Sequence, residues 1–174
     1  PLDAAGFDDI VDVLRVPKAK YGPAGHLTML DPCAGKGESL RLARALGRKH
    51  IATADSESMS ARAVAVDVRW CEMEESRAAA CAEAWLAAER EQKARWSLAG
   101  ERGHLRREVS CEVATGDAFR LASLGAFASS GKGTCAGDEP WASLLYLNPP
   151  YDDDPEHGRL EARWLDRFTQ HVVD

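Results

Sequence analysis

The stretch Leu144-Leu145-Tyr146-Leu147-Asn148-Pro149-Pro150-Tyr151 limits what this chain can fold into more than any other. Four residues suited to a strand run straight into Asn-Pro-Pro, which cannot continue one. Consecutive prolines remove two backbone donors and fix φ, so the strand must end there. A stiff loop at its carboxyl end then carries an amide, carbonyls and an aromatic ring. In an open α/β sheet that is where ligands sit. A bare Pro-Pro reads as a stiffened turn, but four ordered residues after an apolar strand are more specific.

The rest of the sequence supplies partners for that strand. His26 to Asp31 reads as a short apolar strand, followed by Pro32-Cys33-Ala34-Gly35-Lys36-Gly37 and a helix from about Glu38 to Leu46. After Gly47 the chain turns polar and small up to Arg62, a long connection. Ala63 to Cys71 reads as a second strand, ended by Glu72, and a helix from about Glu74 to Leu98 follows it. Its expected buried stripe is Ala78, Cys81, Ala82, Trp85 and Leu86, with Glu89, Arg90, Glu91 and Lys93 in water. Glu108 to Ala114 alternates as a third strand and runs into Thr115-Gly116-Asp117-Ala118-Phe119. The predicted architecture is α/β, a mainly parallel sheet with flanking helices in a single domain over residues 1–174.

Outside this frame the expectations are plainer. Phe7, Ile10, Val11 and Leu14 space out a short amphipathic helix that Pro17 ends, before a Tyr21–Gly25 loop. Ser129 to Pro140 reads as a Gly/Ser-rich loop. Asp152 to Gly158 reads as an acidic solvated loop, and the helix after it places Leu160, Trp164, Leu165, Phe168 and Val172 on one side. His157 and His171 read as surface groups.

The chain has 174 residues, 45% of them hydrophobic, and a net charge of −6. That balance disfavours a domain that holds nucleic acid mainly through its phosphates, though not a nucleic-acid substrate. No apolar run is long enough to span a bilayer, and no signal-peptide pattern opens the chain. The five cysteines are scattered singly, without zinc-ligand spacing, so no metal site is expected and reduced cytoplasmic thiols are the default.

The glycine turn between Asp31 and Leu40 admits several readings. A phosphate loop needs Ser or Thr after Gly-Lys, and Gly37 follows Lys36. A dinucleotide fingerprint needs a third small residue, and Leu40 stands there. Asp31-Pro32-Cys33-Ala34-Gly35-Lys36-Gly37 resembles instead the first cofactor motif of the S-adenosylmethionine-dependent amino-methyltransferases, of gamma type. Asn148-Pro149-Pro150-Tyr151 resembles their catalytic motif, and Gly116-Asp117-Ala118-Phe119 their adenine-binding segment. The match is closest to a group of methyltransferase-like proteins of bacteria and their plasmids, which share Leu147-Asn148-Pro149-Pro150-Tyr151-Asp152 and a run like Gly158-Arg159-Leu160-Glu161.

The resemblance implies a Rossmann-like methyltransferase fold with S-adenosyl-L-methionine as cofactor. Asp31, Pro32, Cys33, Ala34, Gly35 and Gly37 would pass under its methionine end. An acid ending the second strand would hold the ribose hydroxyls. Glu72, with Met73 beside it, is preferred for that role because it closes the strand, and Asp67 inside the strand is its rival. Asp117 and Ala118 would meet the adenine. Asn148 and the carbonyl after it would accept hydrogens from the target NH2, with Pro149 and Pro150 fixing the loop and Tyr151 stacking on the target. The expected acceptor is adenine N6 in DNA, flipped out of the helix if the substrate is duplex. An RNA base or a protein glutamine is the alternative acceptor, and a silent cofactor-binding module the alternative class.

That family's sheet has more strands than the four legible here. The chain is therefore expected to be a partial domain, truncated at its C-terminal side and lacking the target-recognition region. It is expected to leave the outer edge of Leu144–Leu147 open, with weak activity at most and a tendency to dimerise.

Overall fold

The computed structural model describes residues 27–53, 64–98, 107–123, 142, 144–149, 153–154, 158–170 and 172. The helix expected over Phe7–Val16, the Tyr21–Gly25 and Ser129–Pro140 loops, Pro150, Tyr151, His157 and His171 lie outside these residues.

Four parallel strands form the sheet: β1 (Leu27–Asp31), β2 (Val64–Glu72), β3 (Arg107–Thr115) and β4 (Leu144–Leu145), in the spatial order β3-β2-β1-β4. Helix α1 (Ser39–Thr53) links β1 to β2, and α2 (Glu75–Leu98) lies between β2 and β3. A short α3 (Ala118–Ser123) follows β3. The order builds outward from β1 to β3 and then returns to the other side of β1. The crevice between β1 and β4 is thus a switch point, where open α/β sheets bind ligands. The expected α/β architecture with a parallel sheet is what the chain forms.

Period-2 alternation divides β2 between two layers. Val66, Val68 and Trp70 point one way and are wholly buried, with Met29 and Val109 beside them, under Leu42, Ala43 and Leu46 of α1 and Cys81 and Ala88 of α2. Each of the Val, Leu and Met side chains contributes roughly 1.5–3 kcal/mol through burial. Asp67, Arg69 and Cys71 point the other way. There Cys71 joins Leu30, Ala118, Ala142 and Phe168 in a second, smaller core. Helix α4 (Leu160–Thr169) supplies Phe168 and Trp164, whose rings stack with centroids 5.2 Å apart while Phe119 tilts against Trp164 at 4.7 Å.

Several boundaries differ from the sequence reading. Helix α1 runs on through Thr53 rather than ending at Leu46. Gly47, which looked like a break, is there for contact: a Cβ on it would lie 2.4 Å from the backbone oxygen of Glu108. Polar residues after it continue the helix, because polarity alone does not end one. On α2 the buried line is Ala78, Cys81, Ala88 and Gln92, while Leu86 is half exposed. The 3-4 spacing from Ala78 onward passes through Trp85 rather than Leu86. Leu165 on α4 is likewise half exposed, and Val172 lies past the helix end, bridged in parallel to Ala142.

The acidic segment is not all loop. Asp153–Asp154 (β5) pairs antiparallel with Gly158–Arg159 (β6). Strand β4 is shorter than the four apolar residues implied, but the Tyr146 N–H still donates to the Leu30 carbonyl at 2.9 Å. β4 is the edge of the sheet among the described residues, and Ala142, just before it in sequence, makes an isolated parallel bridge to Val172. No described helix is long and apolar enough to cross a membrane.

Candidate functional site at the carboxyl ends of the strands

Parallel register brings the strand ends level. Asp31 stands opposite Trp70, Glu72 opposite Thr115, and Leu30 opposite Leu145. The loops leaving these ends are tied together by their backbones. Ala34 N–H donates to the Cys71 carbonyl and Gly116 N–H to the Glu72 carbonyl, both at 2.9 Å. The loops enclose a cavity of about 420 Å³, within the range of about 300–1,000 Å³ usual for small-molecule sites.

Four sequence segments share its wall. Pro32, Cys33, Ala34 and Gly35 form one side, Glu72 and Met73 the next, Asp117 and Ala118 the third, and Asn148 with Pro149 the fourth. Every one of these was expected at the site from the sequence. The placements of Pro150 and Tyr151 lie outside the described residues. Met73 is 73% exposed, an apolar side chain held at the mouth.

Asp31 and Gly37 take positions beneath the wall instead of on it. Asp31 is 1% exposed; its Oδ1 accepts from the Cys33 N–H at 3.2 Å and its Oδ2 from the Ser39 hydroxyl at 2.5 Å. Trp70 Nε1–H donates in turn to Ser39 Oγ at 2.8 Å. Gly37 has φ +82°, and a Cβ there would lie 3.0 Å from the buried Trp70 ring. The second glycine of the turn is therefore a packing requirement. Gly35, φ +58°, has nothing within 4 Å of such a Cβ, and its backbone is open to the cavity.

Glu72 braces the turn from the side. Its Oε2 accepts from the Gly35 N–H at 2.8 Å and its Oε1 from the Glu74 N–H at 3.0 Å. Each carboxylate oxygen has a second lone pair, so both retain capacity for a hydroxyl donor. Asp67, the rival acid, lies on the opposite face of β2. It pairs with Arg69 at 2.7 Å and accepts from the Ser110 hydroxyl, and it does not line the cavity. Arg69 also pairs with Glu112. Parity along the strand separates the two acids: Glu72 falls in the set of Val68 and Trp70, and Asp67 in the set of Arg69 and Cys71.

Asp117 Oδ1 accepts from the Phe119 N–H at 2.9 Å, and the carboxylate is otherwise exposed to the cavity. Tyr146 lines the wall as well. The signal was available in the sequence, because residues i and i+2 of an extended segment share a face, which couples Tyr146 to Asn148. Trp164 and Arg77 also reach the wall. Their places depend on how α4 and α2 dock, which no local pattern encodes.

Burial dominates the electrostatics. It pushes the Asp31 carboxyl up to about 7, with the neighbouring Glu72 charge adding to the rise and the Ser39 and Cys33 hydrogen bonds opposing it. Burial likewise pushes the Cys33 and Cys71 thiols up to about 12 and Cys81 to about 11. These thiols stay protonated at neutral pH and are not nucleophiles. No group of His, Cys, Asp and Glu among the described residues is placed to hold a metal. No protein-family model, no curated protein and no solved structure matches this chain.

Proposed function

We propose that the chain is a Rossmann-like methyltransferase domain that transfers a methyl group from S-adenosylmethionine to an exocyclic amino nitrogen, with adenine N6 in DNA as acceptor. One observation carries this: four segments far apart in sequence, each leaving the carboxyl end of a parallel strand, wall a single cavity. The donor set fits the cofactor. Glu72 offers acceptors for a ribose diol, Asp117 an acceptor for an adenine amine, and Gly35 an open backbone for close approach.

When bound, S-adenosylmethionine would supply an electrophilic methyl on a sulfonium sulfur, with the neutral thioether as leaving group. The chain's part is to make a planar amine nucleophilic. Asn148 Oδ1 and the Pro149 carbonyl accept its two hydrogens, draw the lone pair out of conjugation and pass the surplus proton to water. The ring of Pro149 fixes φ between the two acceptors, so little reorganisation is needed at the moment of transfer. The resemblance assigns stacking on the acceptor to Tyr151.

Labelled methyl transfer to single- and double-stranded DNA, RNA and a glutamine-containing peptide tests this reading. It expects label in N6-methyladenine from DNA, lowered about a hundredfold or more in Asn148→Ala. Label in RNA or peptide alone would replace the acceptor. Cofactor binding without transfer to any acceptor would make the chain a silent binding module. A second copy pairing along the β4 edge is proposed as a partner, and sedimentation over a concentration series would show it.

A further inference from the structure

A net charge of −6 confines any contact with a polyanion to a local surface, and helix α4 carries one. Arg159, Arg163 and Arg167 recur at every fourth residue, which sets them in one line from the N-cap of α4 to its last turn. Successive members stand about 6 Å apart along the axis, close to the spacing of neighbouring phosphates on one nucleic-acid strand. Arg159 is 78% exposed, and its pairing with Glu161 at 3.3 Å is a surface pair that a phosphate can replace. Arg163 and Arg167 are partly exposed, and the guanidinium carbon of Arg163 sits 5.4 Å from the centre of the Phe119 ring. That contact holds one member of the line in place. The acids beside the line are Asp153, opposite Arg159 in the hairpin, and Asp166 on the helix.

The line borders the cavity. Trp164, next to Arg163, forms part of the wall with Asn148 and Pro149. Its ring is braced by two others, Phe168 stacked at 5.2 Å and Phe119 tilted at 4.7 Å, so it loses little freedom when a ligand meets it. One helix therefore joins an aromatic wall residue to a row of cations. Those two groups together hold single-stranded nucleic acid without reading its sequence. A peptide carrying a glutamine has no regular row of anions to match the line, whereas a phosphodiester backbone has. α4 packs on the sheet face of Leu30, Cys71 and Leu145, while the exposed cations Arg90 and Lys93 belong to α2 on the other face.

We propose that α4 is the surface on which this chain seats a DNA strand. Arg159, Arg163 and Arg167 track its phosphates, and Trp164 gives a base of that strand a stacking surface where it meets the cavity. The inference rests on the proposed methyl transfer to DNA and adds the element that holds the acceptor strand. Three phosphate contacts make binding weak and salt-sensitive. At a slope of about 0.7 per phosphate, affinity should fall roughly twentyfold between about 50 and about 200 mM salt.

The test is fluorescence anisotropy of a labelled, adenine-containing single-stranded oligodeoxynucleotide at those two salt concentrations, with calorimetric binding of S-adenosylmethionine measured on the same samples. In the double variant Arg163→Gln/Arg167→Gln the salt effect should shrink to about threefold, with cofactor binding unchanged. Arg90→Gln/Lys93→Gln removes the same charge from the far side and should keep the full salt effect. Trp164→Phe should retain affinity and Trp164→Leu should lose about fivefold or more. Equal salt dependence in the two double variants would overturn the surface and leave the methyl-transfer reading standing. So would cofactor binding without any binding of the strand. Tighter binding of an RNA strand of the same sequence would overturn DNA as the occupant. A chain that holds the strand as expected yet binds no S-adenosylmethionine would contradict the methyl-transfer reading alone. Should Trp164→Leu not fold, the arginine variants decide.

Discussion

The two glycines of the turn should respond unequally to one added methyl group. Both have positive φ, +58° at Gly35 and +82° at Gly37, so alanine at either position is strained by about 1–2 kcal/mol. A stiffer unfolded chain returns about 0.4–1 kcal/mol of that. The net backbone effect is therefore roughly 0–1.6 kcal/mol at each. Gly35 has open space where the methyl would stand, and nothing further is lost. At Gly37 the methyl would meet the Trp70 ring at 3.0 Å, with a second ring atom at 3.3 Å. Trp70 is fully buried and tied by its Nε1–H to Ser39, so the ring has no free direction in which to move. Overpacking of that kind adds about 1–3 kcal/mol. Gly37→Ala should thus destabilise by roughly 1–5 kcal/mol and Gly35→Ala by at most about 1.6. In urea unfolding followed by circular dichroism, with a slope of about 1–3 kcal/mol per molar, the Gly37→Ala midpoint should fall by about 1 M or more. Gly35→Ala should shift it by less than half as much. Equal shifts, or a larger one for Gly35→Ala, would refute the assignment of Gly37 to packing and Gly35 to the cavity.

Two further perturbations bear on the frame beneath the site. Gly47→Ala would drive a Cβ to 2.4 Å from the Glu108 carbonyl, so α1 must lift from β3; thermal unfolding should show a loss of about 2–4 kcal/mol, and an unchanged midpoint would contradict that close approach. Stability should also fall with rising pH. The folded Asp31 carboxyl titrates near 7 against an ordinary 3.8, so between those values the folded chain holds a proton the unfolded chain has released. That contribution is fully present below about pH 4, is lost as pH rises through about 7, and is on the order of 4 kcal/mol. Asp31→Asn should flatten this slope in denaturant midpoints measured from pH 4 to pH 8, and an unaltered slope would assign it to another group.

The site was more legible in the sequence than the frame that holds it. Strand-ending residues announce themselves through local chemistry: Asn148-Pro149-Pro150 cannot continue a ladder, and Glu72 closes an alternating apolar run. Glu72 was preferred over Asp67 because it closes the strand, and parity along the extended segment past β4 would have added Tyr146. What stayed hidden depends on partners distant in sequence. Asp31 looked like a wall residue until Ser39 and Cys33 were seen to occupy both its oxygens. Gly47 looked like a helix end until the Glu108 backbone was seen against it. Leu86 and Leu165 fitted apolar stripes that the docked helices do not bury, because a stripe wide enough for two orientations does not choose between them.

On the proposed function, S-adenosylmethionine is held in the strand-end cavity through Glu72. Calorimetric titration of that ligand into the chain, with Glu72→Ala and Asp67→Ala alongside, tests it most directly. Binding should be saturable in the unaltered chain, retained in Asp67→Ala and abolished in Glu72→Ala while that variant stays folded. Binding lost in Asp67→Ala but kept in Glu72→Ala would contradict it, as would a folded chain that binds nothing.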